Sequence, residues 1–456
     1  MGHGLLNKIA KRTDDQKKYS KPENIFLFLV LVIGFLAVFI TPPLTMGDEG
    51  YHLSRSYNLF STKAPESMSN PQVRAKEFEA IGLSTEGKIN PTFYKKLITK
   101  KVDLQNDGVR FSVYSKWNNT FGPLDFMHLP AAIGVLIARL IYPSLGIMDY
   151  GGRIANLLFF AFAFYFLIKK NKYAKWSMIL LFVIGGIQKI FSPSYDVLSF
   201  LVFAAFVVNL FDLAQLPTIR EVSLKKAIYT AFLTCSFYFI KTNYVFAIFA
   251  FLGLPMFYRP IIKKLKSLKI SGKFSLSALI LGIIFIATYF VNKKIPIFTI
   301  IKKFIENYMN VEMMSNNAKQ MWQIVPTTLP GFINIIFILI LFIVMMGEFK
   351  VSWSKGTVIF FSMTYLVNWL GIFAGFFIEN AALASANLQG RYLSPFMFLF
   401  VPFVQNLGRK FNFTMSDKAI KKLSVWTIIT ISILYLCITF YRSYILHVTP
   451  TWTNNA

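Results

Sequence analysis

Two adjacent carboxylates, Asp48 and Glu49, stand just past the first long apolar run of the chain, and His52 and Arg55 follow them. In a helix Asp48, His52 and Arg55 share one face, whereas Glu49 is turned away from it by roughly 100°. A carboxylate placed in this way can remove a proton from a hydroxyl group while nearby cations stabilise a departing phosphate. Ionisable groups at the end of an apolar helix are costly, so the stretch predicts a functional site in which the two acids have different roles.

More polar residues interrupt the apolar runs further along the chain. They are Asp196 in Ser192-Pro-Ser-Tyr-Asp196, Lys241 and Tyr244, and finally Gln389, Arg391 and Tyr392. The topology that the basic residues predict brings all of them to the same side of the membrane as Asp48. Carboxylates and cations are therefore expected to converge in one leaflet.

Each of these residues also has a purely structural interpretation. Thr45 and Asp48 have the spacing of a capping box, and Asp196 suits the first turn of a helix. Lys241 and Arg391 could be snorkelling residues at the ends of spans, and the histidines could simply pack at the interface. Only the combination of these residues favours a site.

The composition is that of a membrane protein with many spans. Of the 456 residues, 55% are hydrophobic and 17% aromatic, and the apolar runs are repeatedly about 20 residues long, which is the thickness of a bilayer. Forty-eight Lys and Arg residues outnumber 21 Asp and Glu residues, for a net charge of +27. Most of this excess lies in short runs between apolar segments, which suits lipid headgroups rather than nucleic acid. Cys235 and Cys437 lie inside apolar runs and support neither a disulfide framework nor a thiolate metal cluster.

The basic residues also order the apolar runs across the membrane. The basic N-terminal stretch is predicted to be cytoplasmic, so the first span, about Asn24 to Thr41, brings Asp48 to the outer face. Residues 44–126 form a first outer loop, and residues 293–329 form a second one with an amphipathic helix pattern. We predict an all-α polytopic membrane protein with about 11 transmembrane helices, interfacial helices in the outer loops, the N-terminus inside and the C-terminus outside.

Residues 127–143 decide this topology, because the run is apolar but short and ends at Pro143. If it crossed the bilayer, the basic stretch from Lys169 to Lys175 would lie outside, against the positive-inside rule. If it only enters the outer leaflet, every short basic loop is cytoplasmic. We therefore predict an interfacial or re-entrant helix here.

Four elements, in the same order, resemble a known family. They are Pro42-Pro43 followed by Asp48-Glu49-x-x-His52-x-x-Arg55-x-Tyr57, then Ser192-x-Ser194-x-Asp196, then Lys241-x-x-Tyr244, and last Gln389-Gly-Arg391-Tyr392-x-x-Pro395. Over most of its length the chain resembles a bacterial family of multi-span membrane proteins of unknown function, which is similar to the GT-C glycosyltransferases. Members of that family often have a proline before the Asp-Glu pair, where this chain has Gly47.

The resemblance implies a single GT-C-like domain over residues 1–456 that lies in the bacterial plasma membrane with its active site on the extracytoplasmic face. It implies transfer of a sugar from a polyprenyl-phosphate donor to a polysaccharide, teichoic acid or lipid of the cell envelope. Asp48 would be the catalytic base, with Glu49 beside it, and attack by the acceptor hydroxyl predicts inversion. The residues expected to bind the substrate and its phosphate are His52, Arg55, Asp196, Lys241, Tyr244, Gln389, Arg391 and Tyr392.

Other functions fit the same residues. A transporter or flippase for a lipid-linked glycan would use the cations for phosphate and the acids for protons, although such sites usually lie near the bilayer midplane. A polysaccharide polymerase or a non-catalytic assembly subunit would also fit. A divalent metal, Mg²⁺ or Mn²⁺, would use Asp48 and Asp196, but the spacing is not that of a dedicated metal site.

Overall fold

The computed structural model describes residues 21–46, 49–60, 91–101, 126–267, 289, 292–293, 296–309, 323–326, 328–349, 351–379 and 390–448. Within these residues all regular secondary structure is helical, and a single β-bridge joins Lys101 to Ser144. The prediction of an all-α chain is thus confirmed for the described part. Asp48 and Gln389 lie outside it, and the side chain of Arg391 is not described.

We number the α-helices in chain order. They are α1 (Pro22–Ile40), α2 (Glu49–Asn58), α3 (Pro91–Thr99), α4 (Leu129–Ile141), α5 (Leu145–Lys170), α6 (Lys175–Ile190), α7 (Asp196–Leu213), α8 (Leu224–Ser236), α9 (Pro255–Ser267), α10 (Ile297–Met309), α11 (Gly331–Gly347), α12 (Lys355–Glu379), α13 (Gly390–Leu393), α14 (Val401–Lys410) and α15 (Asp417–Phe440). Among the described residues, three 3₁₀ helices lie between them, namely Ile219–Glu221, Thr242–Gly253 and Ser394–Phe400, and a π-helical turn, Tyr441–Ile445, follows α15.

Five helices of the described residues are long and apolar enough to cross a membrane: α1, α5, α7, α12 and α15 with its π-helical turn. A sixth span results if the 3₁₀ helix Thr242–Gly253 and α9, bent by 55° to each other, are taken together. The finer prediction of about 11 spans stays a prediction. It counts shorter apolar helices such as α11, and it also counts residues 276–290, which lie almost entirely outside the described part.

Helix α4 occupies the run that decides the topology. It has 13 residues, so it is about 20 Å long, shorter than the roughly 30 Å of a hydrocarbon core. It forms a tight hairpin with α5, where Gly134 lies against Gly151 and leaves no room for a Cβ atom at either position. Small residues permit this close approach of helices in membranes.

The chain divides into two compact units. Unit 1 comprises Met1–Val202, Tyr238–Ile240 and Ser424–Ala456, and unit 2 comprises Phe203–Phe237 and Lys241–Leu423. Helices α7 and α15 each contribute residues to both units.

Unit 1 has an aromatic core between α1, α5 and α6. The Phe160 and Phe164 rings lie 4.3 Å apart, and Phe26 of α1 and Phe182 of α6 pack against them. The glycine at position 34 allows α1 to approach Leu157 of α5. These contacts hold α1 and α5 side by side, so that the chain leaving α1 at Thr41 passes close to the first turns of α5.

A second cluster of buried residues in unit 1 surrounds α2. It contains Leu44, Leu53, Tyr57, Phe93, Tyr94, Leu97, Val135, Leu145 and Met148, and thus residues of α2, α3, α4 and α5. Burial raises the pKa of Tyr94 well above its usual range, so its hydroxyl stays neutral. Although α2 belongs to a predicted outer loop, it is packed as firmly as a core helix.

Unit 2 is built around the aromatic residues of α7, α12 and the two longer 3₁₀ helices. Phe203 lies 4.5 Å from Phe396 and 4.9 Å from Tyr244, measured between ring centroids. The 3₁₀ helix Thr242–Gly253 has 12 residues, which is long for this type of helix because its side chains eclipse every third residue. The helix packs closely against α12, and this packing offsets its unfavourable geometry.

Candidate functional site

A buried arginine, Arg153, dominates the polar part of unit 1. Its Nε lies 2.9 Å from Glu49 Oε1 and 2.9 Å from Asp149 Oδ2, and its Nη2 lies 2.8 Å from Glu49 Oε2. All three side chains are fully buried. We call Glu49, Asp149 and Arg153 the Arg153 cluster.

Arg153 also holds the main chain that connects α1 to α2. Its Nη1 donates to the carbonyl oxygens of Val38 and Thr41, at 3.1 and 2.6 Å, and its Nη2 donates to that of Pro42 at 2.8 Å. These carbonyls lie at the end of α1, where four carbonyl groups have no partner within the helix. A single guanidinium therefore fixes the end of α1 and the start of α2 to α5.

Glu49, the first residue of α2, also holds the segment that connects α1 to α2. Its Oε2 accepts a hydrogen bond from the main-chain N–H of Met46 at 3.0 Å, in the manner of a capping-box acid. The hydroxyl of Thr45 donates instead to Pro42 O at 2.7 Å. Since Met46 and Glu49 flank residues 47–48, the Arg153 cluster anchors the chain on both sides of Asp48.

The electrostatics of the cluster are unusual for a membrane protein. Two carboxylates meet one guanidinium among the described residues of this cluster, and Leu44 N–H adds a 3.4 Å contact to Asp149 Oδ2. Buried charges of this kind cost several kcal/mol of desolvation each and persist only when well paired. The cluster is thus a costly feature that holds one short segment in place.

Two buried histidines form a pair one helical turn after Glu49. His52 Nδ1 lies 2.9 Å from His128 Nε2, and both rings are at most 3% exposed. The partly exposed rings of Tyr51 and Tyr195 pack edge-on against them, at centroid distances of 5.1 to 6.2 Å. One ring must donate and the other accept, so the pair keeps its hydrogen bond only while at least one of these two nitrogens is unprotonated.

Two further cations near α2 lie on aromatic rings. The Arg55 guanidinium lies 5.5 Å from the Tyr51 ring centroid. Arg139 of α4 lies 4.5 Å from the Tyr57 ring centroid and donates to Phe60 O at 3.0 Å. These cation–π contacts orient both arginines beside the buried helix α2.

Asp196 begins α7 in a turn that is held by hydrogen bonds. Its main-chain N–H donates to Ser194 Oγ at 3.2 Å, and Asn156 of α5 donates to the carbonyl oxygens of Ser192 and Ser194. Asp196 is 2% exposed. The turn also brings Tyr195 to the histidine pair, so this predicted element lies beside His52.

In unit 2 the structure brings Lys241 and Tyr392 together. Lys241 Nζ lies 4.8 Å from the Tyr392 ring centroid, and the lysine is 6% exposed. Asn243 Nδ2 donates to Asn368 Oδ1 and to Tyr392 O, both at 3.1 Å, and Asn368 Nδ2 donates to the same carbonyl at 3.3 Å. We call Asn243, Asn368 and the Tyr392 carbonyl the amide cluster.

Tyr244, which was predicted to bind substrate, lies in the core of unit 2. Its ring packs on Phe203 and Phe396 and is fully buried. Its substrate-binding role stays a prediction, since this packing alone does not test it.

Sequence reasoning missed Asp149, Arg153, Asn243 and Asn368. The sequence does mark the first two, because an arginine and an aspartate inside an apolar run are functional candidates by default. The two asparagines are uncharged and have no such signal. No group of three described His, Cys, Asp or Glu residues is placed to hold a metal ion, so the described residues give the predicted Mg²⁺ or Mn²⁺ no geometry.

The fold and these clusters define a helical membrane protein with buried polar sites in both of its units. Residues 31–400 match a family described as "Predicted membrane protein (DUF2142)". Since the match covers most of the 456 residues, the chain belongs to this family. Searches of curated proteins and of solved structures found no match.

Proposed function

We propose that this chain is an inverting glycosyltransferase of the plasma membrane that moves a sugar from a polyprenyl-phosphate donor to an acceptor of the cell envelope. The observation that carries the proposal is the anchoring of the chain on both sides of Asp48 by the fully buried Arg153 cluster. Catalytic groups need to be held by surrounding structure, and this segment is held by charged groups that a merely structural turn would not require.

Within this proposal the two adjacent acids, Asp48 and Glu49, have different roles. Glu49 is paired with Arg153 and caps Met46, so it acts as a positioning residue. Asp48 is then the base, in line with the expectation that the two acids have different roles.

The reaction needs one base and cations. Asp48 takes the proton of the acceptor hydroxyl, whose oxygen attacks the anomeric carbon from the face opposite the phosphate. The bond from that carbon to the phosphate oxygen breaks, and the phosphate leaves with its charge stabilised by cations. One displacement inverts the anomeric centre, and a positioned base contributes about 10²- to 10⁴-fold in rate.

The finer topology belongs to the same proposal. We infer about 11 spans, with the N-terminus inside, the C-terminus outside, and the segment that carries Asp48 on the outer face. Residues 127–143 then enter the outer leaflet without crossing. The short length of α4 and its tight hairpin with α5 support this topology.

The experiment that tests the proposal is the composition of surface glycans in a deletion strain. The strain is complemented with the wild-type chain, with Asp48→Asn, or with Asp212→Asn, a matched acid-to-amide control in the Lys226 ion pair. Equal amounts of each protein in the membrane are verified. We expect one sugar to be missing from the deletion strain and restored by wild type and Asp212→Asn only. Restoration by Asp48→Asn would overturn the catalytic role of Asp48 and favour a transporter or an assembly subunit.

A further inference from the structure

One end of unit 2 is formed by helix ends that lie far apart in the sequence. Gly347, at the end of α11, packs against Met415 and Ile420 at the start of α15. Gly408, near the end of α14, packs against Met346 of α11. The ends of α11 and α14 therefore lie beside the start of α15.

The chain that enters α12 lies at the same end. Arg409 of α14 donates to Ser352 Oγ at 2.9 Å. The indole N–H of Trp353 donates to Gln405 Oε1, also in α14, at 2.8 Å. These two hydrogen bonds fix the start of α12 to the last turns of α14.

Helix α9 joins this end through α12. The Thr357 hydroxyl of α12 donates to Gly253 O, two residues before α9 begins, at 2.8 Å. The Tyr258 ring of α9 occupies the space beside Gly356, where a Cβ atom would lie 2.5 Å from it. Since α12 is a candidate span, α9 is fixed at the level where that span begins.

Helix α9 is strongly basic on one side. It carries Arg259, Lys263, Lys264 and Lys266, all exposed. On a helical projection three of these cations lie within about 60° of each other. The opposite side has an apolar stripe formed by Phe257, Ile261 and Leu265, which are 37% to 55% exposed. A helix of this kind lies in the plane of a membrane interface with its apolar stripe toward the acyl chains.

The other helix ends add charge of the same sign. Lys355 opens α12, Arg409 and Lys410 close α14, and all three are exposed. Between α14 and α15 the rings of Phe411 and Phe413 are 70% and 37% exposed, and exposed aromatic rings are typical of membrane interfaces.

The first turns of α15 complete the surface. Lys418 and Lys422 are exposed and Lys421 is half-buried, whereas the described acids of these helix ends are Glu348, which is buried, and Asp417. Cations thus outnumber acids by a wide margin here. We call α9 and these helix ends the basic end of unit 2.

We propose that the basic end of unit 2 binds the phosphate groups of anionic phospholipids in the leaflet that it faces. The charge is complementary, the apolar stripe and the phenylalanines reach the acyl chains, and the start of a candidate span sets the depth. Each Lys or Arg near such a surface contributes about 1 kcal/mol, or about fivefold in binding. The inference does not depend on the proposed glycosyltransferase activity.

The test uses the purified full-length chain in bilayer nanodiscs made of equal parts phosphatidylglycerol and phosphatidylcholine. Native mass spectrometry counts the lipids that remain bound after release. We expect wild type to retain phosphatidylglycerol preferentially, and the variant with Arg259, Lys263, Lys264 and Lys266 all changed to Gln to lose at least about fivefold of that preference.

A matched control removes the same charge elsewhere. Lys95, Lys96, Lys100 and Lys101, in and just after α3 of unit 1, are changed to Gln, and this variant should keep the preference. Equal retention of both lipids by wild type would overturn the proposal, as would an equal loss in the control. If the fourfold α9 variant does not fold, Arg259→Gln with Lys263→Gln replaces it and should also lower the preference by at least about fivefold, while Lys95→Gln with Lys96→Gln should keep it.

Discussion

The polar clusters of the two units are built on opposite principles. In unit 1 the Arg153 cluster consists of ionisable groups, with two carboxyl groups on one guanidinium and no exposure of any of the three side chains. In unit 2 the amide cluster consists of neutral groups that converge on the Tyr392 carbonyl, and a neighbouring cation, Lys241, lies over an aromatic ring.

This difference indicates how each cluster should respond to change. A buried charge that loses its partner keeps its full desolvation cost, whereas an amide that loses a partner leaves only a neutral polar group unsatisfied. Unit 1 should therefore depend sharply on a single residue, and unit 2 should distribute the cost over several.

The largest effect is expected for Arg153→Met. The change leaves Glu49 and Asp149 buried without their guanidinium and removes the hydrogen bonds to Val38, Thr41 and Pro42. It should lower the free energy of unfolding by about 3 to 5 kcal/mol. Unfolding in mixed micelles with increasing denaturing detergent measures this loss.

The control is Arg139→Met, which removes a buried arginine that bonds a carbonyl oxygen and lies over a ring. It should cost clearly less. Adding Glu49→Gln and Asp149→Asn to Arg153→Met should recover part of the loss. Equal costs for the two arginines would show that charge is not what distinguishes the Arg153 cluster.

A smaller effect is expected for Asn368→Ala in the amide cluster. The change leaves Asn243 Nδ2 and the Tyr392 carbonyl with one hydrogen bond fewer, which should cost about 1 to 3 kcal/mol. Asn209→Ala, which removes a buried amide bonded to Thr230 Oγ1, is the control for the loss of any such group. The unfolding costs of Asn368→Ala and Asn243→Ala should be non-additive, whereas those of Asn209→Ala and Asn243→Ala should add. Additive costs for Asn368→Ala and Asn243→Ala would show that the two residues do not act as one cluster.

The histidine pair should show a coupling of about 0.5 to 1.5 kcal/mol in a double-mutant cycle of His52→Gln and His128→Gln. The reason is the 2.9 Å contact between their ring nitrogens. Costs of the two single changes that simply add would contradict the assigned hydrogen bond.

The smallest effect is expected for the ion pair of Lys226 and Asp212, whose side chains are 26% and 20% exposed. Solvent screens partly exposed pairs, so Lys226→Gln should cost about 0.2 to 1 kcal/mol. A cost as large as that of Arg153→Met would remove the contrast between buried and exposed charge on which the comparison rests.

Local patterns of the sequence predicted the elements well. The first apolar run became α1, and the short run at 127–143 became the 13-residue helix α4. The prediction that Asp48 and Glu49 have different roles stays a prediction, because Asp48 lies outside the described residues. Periodicity and charge act over a few residues, so a sequence reveals them directly.

The contact partners of the site residues could not be predicted, because they lie far away in the sequence. Arg153 lies 104 residues beyond Glu49 and His128 lies 76 beyond His52, and no local pattern specifies such pairs. Glycines 134 and 151, which set the α4–α5 hairpin, likewise act only once packed. Asn243 and Asn368 carry no charge that would have marked them inside an apolar run.

The measurement that tests the central claim most directly is the rate of sugar transfer in isolated membranes. Membranes of the deletion strain that contain wild type or Asp48→Asn receive the polyprenyl-phosphate form of the sugar found missing from the surface. The account predicts that Asp48→Asn lowers the rate by about 10²- to 10⁴-fold at equal protein level. Transfer at the wild-type rate would show that Asp48 is not the base.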